Sequence, residues 1–377
     1  MELKLDTSRE YGLVLEGGGA RGAYQIGAWR ALREAGVKIK GVSGTSVGAL
    51  NGALVCMGNL EKAEEVWENI SYSQVMSVED EFMESLISRD FRGVNHAELV
   101  SKLLHYLAEG GIDVTPLKEL IAGYIDENVI RYGDTDFFFQ VFSATEMKEL
   151  EIDARELADG ELADMVLASA YFPVFKKEKI KGSRLIDGGM FNNVPVDSLI
   201  KRGYTDIISV RIYGIGHEKA VKLPEETQVV EIAPRVDLGN ILEFDSKKSR
   251  RNMKIGYYDA MRMLYGLKGR GYYIDAGLGE RECLLRLIKA GMPPYRELLE
   301  AELPGLAAEL GLERDWDYQE LYLALLEASA RLLRVQKYRI YTEEELLTEI
   351  QRKWKRMEEE KQAELPDFVE LTVQMNE

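Results

Sequence analysis

The chain of 377 residues is poor in histidine and cysteine, with three His at positions 96, 105 and 217 and two Cys at positions 56 and 283. Two cysteines cannot build a disulfide framework or a thiolate metal site. Three histidines leave little room for a histidine-based metal centre, and they limit any mechanism that needs an imidazole. The composition therefore predicts a protein without a bound metal.

Basic charge is also scarce: 48 Lys and Arg stand against 65 Asp and Glu, which gives a net charge of −17. Nucleic-acid binding needs a basic surface and capture by anionic lipid needs basic clusters, so the charge balance disfavours both. The longest apolar run, residues 47–57, is interrupted by Gly and Asn and is too short to cross a bilayer. The first twelve residues are polar, unlike a signal peptide. We predict a cytoplasmic protein that binds no nucleic acid and whose only membrane contact would be peripheral.

Short apolar runs alternate with helical periodicity from residue 11 to residue 213. The apolar runs predict strands, and helical spacing with glycine stops predicts helices between them. The predicted strands are residues 12–16, 40–43, 137–142, 206–212 and 228–232, and the first two predicted helices are residues 22–36 and 47–57. This alternation predicts an α/β fold with a mostly parallel central sheet flanked by helices.

The composition changes after residue 271, and from Arg281 onward the chain is rich in Leu, Glu and Ala with few strand signals. Leucines at helical spacing between residues 317 and 334, and Thr342 followed by three Glu, predict helices there. We expect an α/β domain over residues 1–270 and a helical region over residues 271–377. The helical region would cap the sheet domain, or it would recruit a partner or form a homodimer.

The first glycine cluster is residues 17–22, Gly-Gly-Gly-Ala-Arg-Gly, between a predicted strand and a predicted helix. Glycines at such a turn let the backbone approach a ligand and direct its N–H groups at an anion. Gly17, Gly19 and Gly22 satisfy the G-x-G-x-x-G pattern of a phosphate-binding turn, but the same N–H groups could form an oxyanion hole. A tight packing turn would need the same glycines.

The second cluster is residues 44–48, Gly-Thr-Ser-Val-Gly, again between a strand and a helix. It is a G-x-S-x-G nucleophile elbow, in which a sharp turn presents Ser46 at the N-terminus of a helix. A dinucleotide-binding fold would place a carboxylate at the end of this second strand to hold the ribose, and none is present. Acyl transfer is therefore favoured over nucleotide binding.

The third cluster is residues 186–189, Ile-Asp-Gly-Gly, where Asp187 precedes two glycines. An aspartate on such a turn could serve as a base, although Asp-Gly turns are common. His217 is the only His after Asp187, so a Ser46–Asp187–His217 triad is an alternative. Only two strands precede Ser46, however, and the usual triad fold has several before its nucleophile.

In this order the three clusters resemble the signature of the patatin-like phospholipases. Residues 168–175, Ala-Ser-Ala-Tyr-Phe-Pro-Val-Phe, resemble a stretch that the family has before its Asp-Gly motif. The resemblance covers the first 210 residues and, more weakly, residues 240–264. The family uses a Ser-Asp dyad without His, which suits a chain so poor in histidine.

The resemblance implies a three-layer fold in which Ser46 is the nucleophile and Asp187 the base. The implied oxyanion hole is formed by backbone N–H groups of Gly17, Gly18, Gly19 and Arg21. The glycines that support the three motifs are Gly22, Gly44, Gly48, Gly188 and Gly189. The Arg21 side chain would reinforce its loop or attract a lipid phosphate.

The expected activity is a serine lipid acyl hydrolase that degrades phospholipids or lysophospholipids through an acyl-enzyme, with no metal or cofactor. Two alternatives stay open at this point: an esterase that uses His217, and a non-catalytic lipid-binding or scaffolding module. Residues 76–111 would be a lid over Ser46 or a plain helical insertion.

Overall fold

The computed structural model describes residues 1–78, 111–172, 175–176, 179, 182–291 and 295–375. The chain divides into two compact units: residues 5–261, called here the sheet unit, and residues 262–377 with residues 1–4, called the helical unit. The segment considered as a lid lies largely outside the described residues, and His96 and His105 lie wholly outside them. The division into domains at residue 270 stays a prediction.

Seven strands of the sheet unit form one sheet within the described residues. They are β1 (Glu10–Leu15), β2 (Lys38–Thr45), β3 (Asp136–Ser143), β4 (Lys148–Asp153), β5 (Leu185–Asp187), β6 (Asp206–Val210) and β7 (Gln228–Ile232). The order is β4-β3-β2-β1-β6-β7, with β5 paired to β3. The pairs from β3 through to β7 are parallel, and β4 and β5 run antiparallel to β3. The predicted α/β fold with a mostly parallel sheet is confirmed.

Helices join and cover these strands. Those of the sheet unit are α1 (Ala23–Glu34), α2 (Val47–Met57), α3 (Leu60–Asn69), α4 (Tyr72–Val75), α5 (Thr115–Tyr124), α6 (Glu127–Tyr132), α7 (Leu162–Ser169) and α8 (Val196–Ile200). A long helix, α9 (Ser246–Tyr265), carries the chain from one unit into the other. Because β1 leads into α1 and β2 into α2, both glycine clusters lie at carboxyl ends of neighbouring parallel strands, the edge where α/β folds place their sites.

Helices pack on both faces of the sheet. On one face, Gly52 of α2 lies so close to Val42 and Phe137 that a Cβ there would touch both side chains. On the other face, the neighbouring Phe138 belongs to a buried cluster that includes Leu199 of α8. Adjacent residues of a strand point to opposite faces, so the apolar run in β3 serves both layers.

The helical unit has a core of its own. Its helices are α10 (Glu280–Ala290), α11 (Tyr295–Glu297), α12 (Leu303–Glu309), α13 (Tyr318–Leu332), α14 (Glu343–Trp354), α15 (Glu359–Gln362) and α16 (Asp367–Gln374), with a π-helical turn (Leu298–Glu302) between α11 and α12. The leucine-rich face of α13 is buried in this core. Thr342 and Glu345 form a capping box at the start of α14, which confirms the predicted helix start. The strands β8 (Tyr273–Asp275) and β9 (Ile340–Thr342) pair in parallel and were not predicted.

Candidate active site

Ser46 lies at a strained turn between β2 and α2. It is one of the non-glycine residues with a positive φ, with φ 56° and ψ −124°, a conformation that costs on the order of 1–3 kcal/mol. A Cβ on Gly44 would collide with the backbone of Gly48, and a Cβ on Gly48 would collide with the carbonyl group of Leu15. The motif glycines are therefore needed for close approach, and the turn has the geometry of a nucleophile elbow.

A buried serine holds this turn in place. The Ser46 N–H donates to Oγ of Ser169 at 3.0 Å, and the Ser169 hydroxyl donates to the Gln140 carbonyl oxygen at 2.6 Å. Ser169, at the end of α7, thus links the turn at Ser46 to β3. Sequence reasoning placed Ser169 in the family-like stretch of residues 168–175 but gave it no role.

Asp187 meets the Ser46 side chain directly. It ends β5, is only 5% exposed, and accepts hydrogen bonds from the Ser46 hydroxyl and from the Gly189 N–H, the latter at 2.7 Å. Burial raises the pKa of Asp187 to about 6. The two hydrogen bonds act in the opposite direction, but the effect of burial is larger. A carboxylate with this pKa is ionised near neutral pH and is a better proton acceptor than an ordinary aspartate.

Asp197 shows that burial alone does not give a raised pKa. It is also buried, but hydrogen bonds from Lys201 and Asn192 and the charges of Lys201 and Lys219 outweigh its burial and hold its pKa below the ordinary value. Asp187 has no ion pair among the described residues. Lysines lie beside Asp197 and none pairs with Asp187 among the described residues, so burial raises the pKa of Asp187 alone.

The first glycine cluster forms a short 3₁₀ helix (Gly19–Gly22) after β1. The N–H groups of two of the four predicted oxyanion donors are engaged: Gly17 donates to the Asn193 carbonyl oxygen and Arg21 to that of Gly18. Gly18 and Gly19 line the same cleft as Ser46, and neither N–H donates to a protein acceptor in the described part of the chain.

The Arg21 side chain is occupied by main-chain oxygens. Its guanidinium donates to the carbonyl groups of Ile212, Tyr213 and Gly239, the last at 2.8 Å. Of the two roles expected for it, reinforcing its own loop agrees with these contacts.

His217 does not come between the serine and the aspartate. Its main chain bonds to Gly189 and Asn193, and the residue is exposed. The Ser46 hydroxyl instead contacts Asp187.

Ser46 and Asp187 open into an apolar cleft of about 1050 Å³, a volume that includes space open to solvent. Apolar side chains from α2, α3 and α5 and from the loops around them form its walls: Val47, Leu50, Leu54, Val66, Trp67, Ile70, Leu117, Leu120, Ile121, Tyr124, Phe172, Phe175, Ile215, Ile241, Leu242 and Phe244. Such a wall suits a hydrocarbon chain, since it offers that chain few polar groups.

Among the described residues, no group of three or more His, Cys, Asp or Glu could hold a metal ion. None of the helices seen in the described ranges combines the length and the apolar character needed to cross a membrane.

A serine at a strained strand-to-helix turn, in contact with a buried carboxylate and lining one cleft with glycines of a turn, is an arrangement typical of a serine acyl hydrolase. A model of the patatin-like phospholipase family matches residues 13–200. Through this domain the chain belongs to the patatin-like phospholipases, as the motifs indicated.

Two curated relatives are similar over the same region. Patatin-like phospholipase domain-containing protein 7 of Rattus norvegicus is 29% identical over 213 residues, which are 55% of this chain and 14% of that protein. Neuropathy target esterase sws of Drosophila melanogaster is 29% identical over 217 residues, 55% of this chain and 13% of that protein. The chain therefore spans a small part of these relatives. Among solved structures, VipD from Legionella pneumophila aligns over 97% of this chain and 90% of its own, with a TM-score of 0.41 and 14% identity.

Proposed function

We propose that this chain hydrolyses carboxylic ester bonds of phospholipids or lysophospholipids through a Ser46–Asp187 dyad. The observation that carries the proposal is the direct contact between the Ser46 hydroxyl and a buried Asp187 at the mouth of an apolar cleft. A non-catalytic lipid-binding module would have no use for the strain at Ser46 or for an uncompensated buried carboxyl.

The reaction begins when Oγ of Ser46 attacks the ester carbonyl carbon and Asp187 takes the hydroxyl proton. The carbonyl oxygen becomes an oxyanion that accepts hydrogen bonds from the N–H groups of Gly18 and Gly19, beside the positive end of α2. When the intermediate collapses, the leaving alcohol takes the proton from Asp187 and Ser46 stays acylated. Water then attacks the acyl-enzyme with Asp187 again as base, which releases the fatty acid and restores the serine. This chemistry needs no metal or cofactor.

The acyl chain occupies the apolar cleft. There it contacts side chains of α2 and α5 and is removed from water. Substitution of Leu120 by Trp would shorten the cleft, so kcat/KM for long-chain esters should fall about tenfold relative to short-chain esters. Equal losses for long and short chains would contradict this assignment of the cleft.

The cellular setting is part of the proposal. Lipid substrates lie in or on membranes, so a cytoplasmic enzyme would meet them through peripheral contact. A homodimer through the C-terminal helices also stays a prediction, which light scattering of the purified chain tests.

A lipid panel tests the proposed activity. Wild type and Ser46→Ala are incubated with phospholipids, lysophospholipids, neutral glycerides and acyl thioesters, and released fatty acid is quantified. We expect release from phospholipids or lysophospholipids by wild type alone. A wild type that is inactive on every lipid, or a Ser46→Ala variant as active as wild type, would refute the proposal.

A further inference from the structure

Glu16 lies directly before the glycine turn. Its side chain is a buried carboxylate that takes part in no step of the proposed reaction. It is 3% exposed, and its two oxygens accept hydrogen bonds from three successive backbone N–H groups: Ile212 at 2.7 Å, Tyr213 at 3.0 Å and Gly214 at 3.2 Å. The side chains of Arg211 and Asn193 add hydrogen bonds from Nε at 3.1 Å and from Nδ2 at 3.4 Å. Most of the donors around this carboxylate are therefore main-chain N–H groups.

The backbone of residues 212–214, which surrounds this carboxylate, has a conformation that favours anion binding. Tyr213 has a φ of 49°, which is unusual for a residue with a side chain. Consecutive N–H groups converge on one point when such a residue follows ordinary backbone, and the concavity attracts negative charge. Here the anion is the side chain of Glu16, so the strain at Tyr213 is balanced by that carboxylate.

The opposite side of the same segment is held by Arg21, which donates to the carbonyl oxygens of Ile212 and Tyr213. Glu16 and Arg21 flank the glycine turn in sequence. One binds the N–H groups of the segment and the other binds its carbonyl groups, so the segment is clamped at both edges.

The clamped segment packs directly on the oxyanion turn. A Cβ on Gly214 would collide with the Gly17 carbonyl oxygen, and a Cβ on Gly18 would meet the Ile212 side chain at 2.8 Å. Asn193 links Glu16 to the same turn, since its Nδ2 donates to the Gly17 carbonyl oxygen at 3.1 Å and to Oε1 of Glu16 at 3.4 Å. A shift of residues 212–214 would therefore move the backbone of Gly17 and Gly18.

We propose that Glu16 is a positioning residue for the oxyanion hole, acting through residues 212–214 to aim the N–H groups of Gly18 and Gly19. This inference rests on the proposed ester hydrolysis, and it adds a residue that touches neither substrate nor nucleophile. Its effect must therefore appear in the stabilisation of the oxyanion and leave substrate binding unchanged.

The test compares Glu16→Gln with wild type on an oxygen ester and the matching thionoester, whose sulfur is a poor hydrogen-bond acceptor. We expect kcat for the ester to fall about 10- to 100-fold, less than the 10²–10³-fold cost of deleting an oxyanion donor. KM should change less than about twofold, and the preference for ester over thionoester should shrink about tenfold. Glu218→Gln is the matched control, because Glu218 also pairs with Arg211 but is exposed and touches none of the three N–H groups.

A second variant, Gly214→Ala, displaces the same segment while Glu16 stays intact, and it should reduce the same preference. Either variant suffices if the other does not fold, as judged by circular dichroism. A folded variant with the wild-type preference would overturn the positioning role while leaving ester hydrolysis untouched. A wild type without esterase activity would instead refute the proposed function itself.

Discussion

The helical unit and the candidate site of the sheet unit differ in how their buried polar groups are held. In the helical unit, the buried hydroxyl groups of Ser329 and Thr372 hydrogen-bond to each other, and the carboxylate of Glu343 accepts the N–H groups of Gly277 and Leu278. In the sheet unit, Ser46 is held at a positive φ, and burial raises the pKa of the adjacent Asp187 to about 6. A strained residue and a perturbed carboxyl group therefore meet where the chemistry is proposed, which is the usual trade of stability for reactivity.

The largest expected effect is at Ser46. Ser46→Ala and Ser46→Gly should each lower kcat by about 10⁴-fold or more, as loss of a nucleophile does. Glycine accepts a positive φ, so Ser46→Gly should also raise the free energy of unfolding by about 1 kcal/mol relative to Ser46→Ala. Released fatty acid and urea denaturation check the two effects, and equal stability of the two variants would contradict the strain.

Asp187→Asn comes next, with an expected loss of about 10³-fold or more in kcat. The folded-state pKa of about 6 lies above the ordinary value of 3.8, so between these values the folded protein holds a proton that the unfolded chain releases. Stability from this group is therefore present below pH 4 and is lost as the pH rises to 6. At pH 7.5 the variant should be more stable than wild type by up to about 3 kcal/mol, at about 1.4 kcal/mol per pKa unit. A variant less stable than wild type at pH 7.5 but not at pH 4 would contradict the raised pKa.

Leu325→Ala tests the other side of the comparison. Leu325 is fully buried in the core of the helical unit, and its truncation should cost about 2–5 kcal/mol. We expect folded molecules of this variant to keep the wild-type rate of labelling at Ser46 by a fluorophosphonate probe. Leu285→Ala is the control, since Leu285 is 49% exposed in the same unit and should cost less than about 0.5 kcal/mol. A labelling rate that falls with Leu325→Ala in the folded protein would show that the two units are not separate in function.

The smallest effect is expected at Ser169, which binds the Ser46 N–H. Ser169→Ala should lower kcat about tenfold, because loss of one hydrogen bond costs about 0.5–1.5 kcal/mol. Ser209→Ala is the matched control: Ser209 is equally buried, but its hydroxyl has no hydrogen-bond partner within the described residues. Similar kinetics for the two variants would contradict a role for Ser169 in holding the nucleophile turn.

The sequence predicted the parts of the site that are local in the chain. The turns at Gly44–Gly48 and Gly17–Gly22 are each set by glycines within a few residues, and the helix over residues 47–57 was predicted with its observed ends. The strands β4 and β5 were not predicted, because β4 is an edge strand rich in charged residues and β5 has three residues.

Contacts between distant parts of the chain could not be predicted from patterns. The bond between Ser46 and Ser169 joins residues 123 apart, and the bond between Glu16 and the Ile212 N–H joins residues 196 apart. Glu16 gave only a weak signal, a single carboxylate at the end of an apolar strand, where a solvent-exposed residue was the simplest expectation. The same holds for the engagement of the Gly17 N–H group, which depends on where Asn193 lies.

The central claim is that Asp187 activates Ser46 without a histidine, and the pH dependence of fluorophosphonate labelling tests it most directly. In wild type and in His217→Ala, the labelling rate should rise with pH through an apparent pKa of about 6, because Asp187 must be ionised to accept the proton. Asp187→Asn should label slowly at every pH, and Ser46→Ala should not label. A profile that disappears in His217→Ala and persists in Asp187→Asn would contradict the dyad and favour a triad.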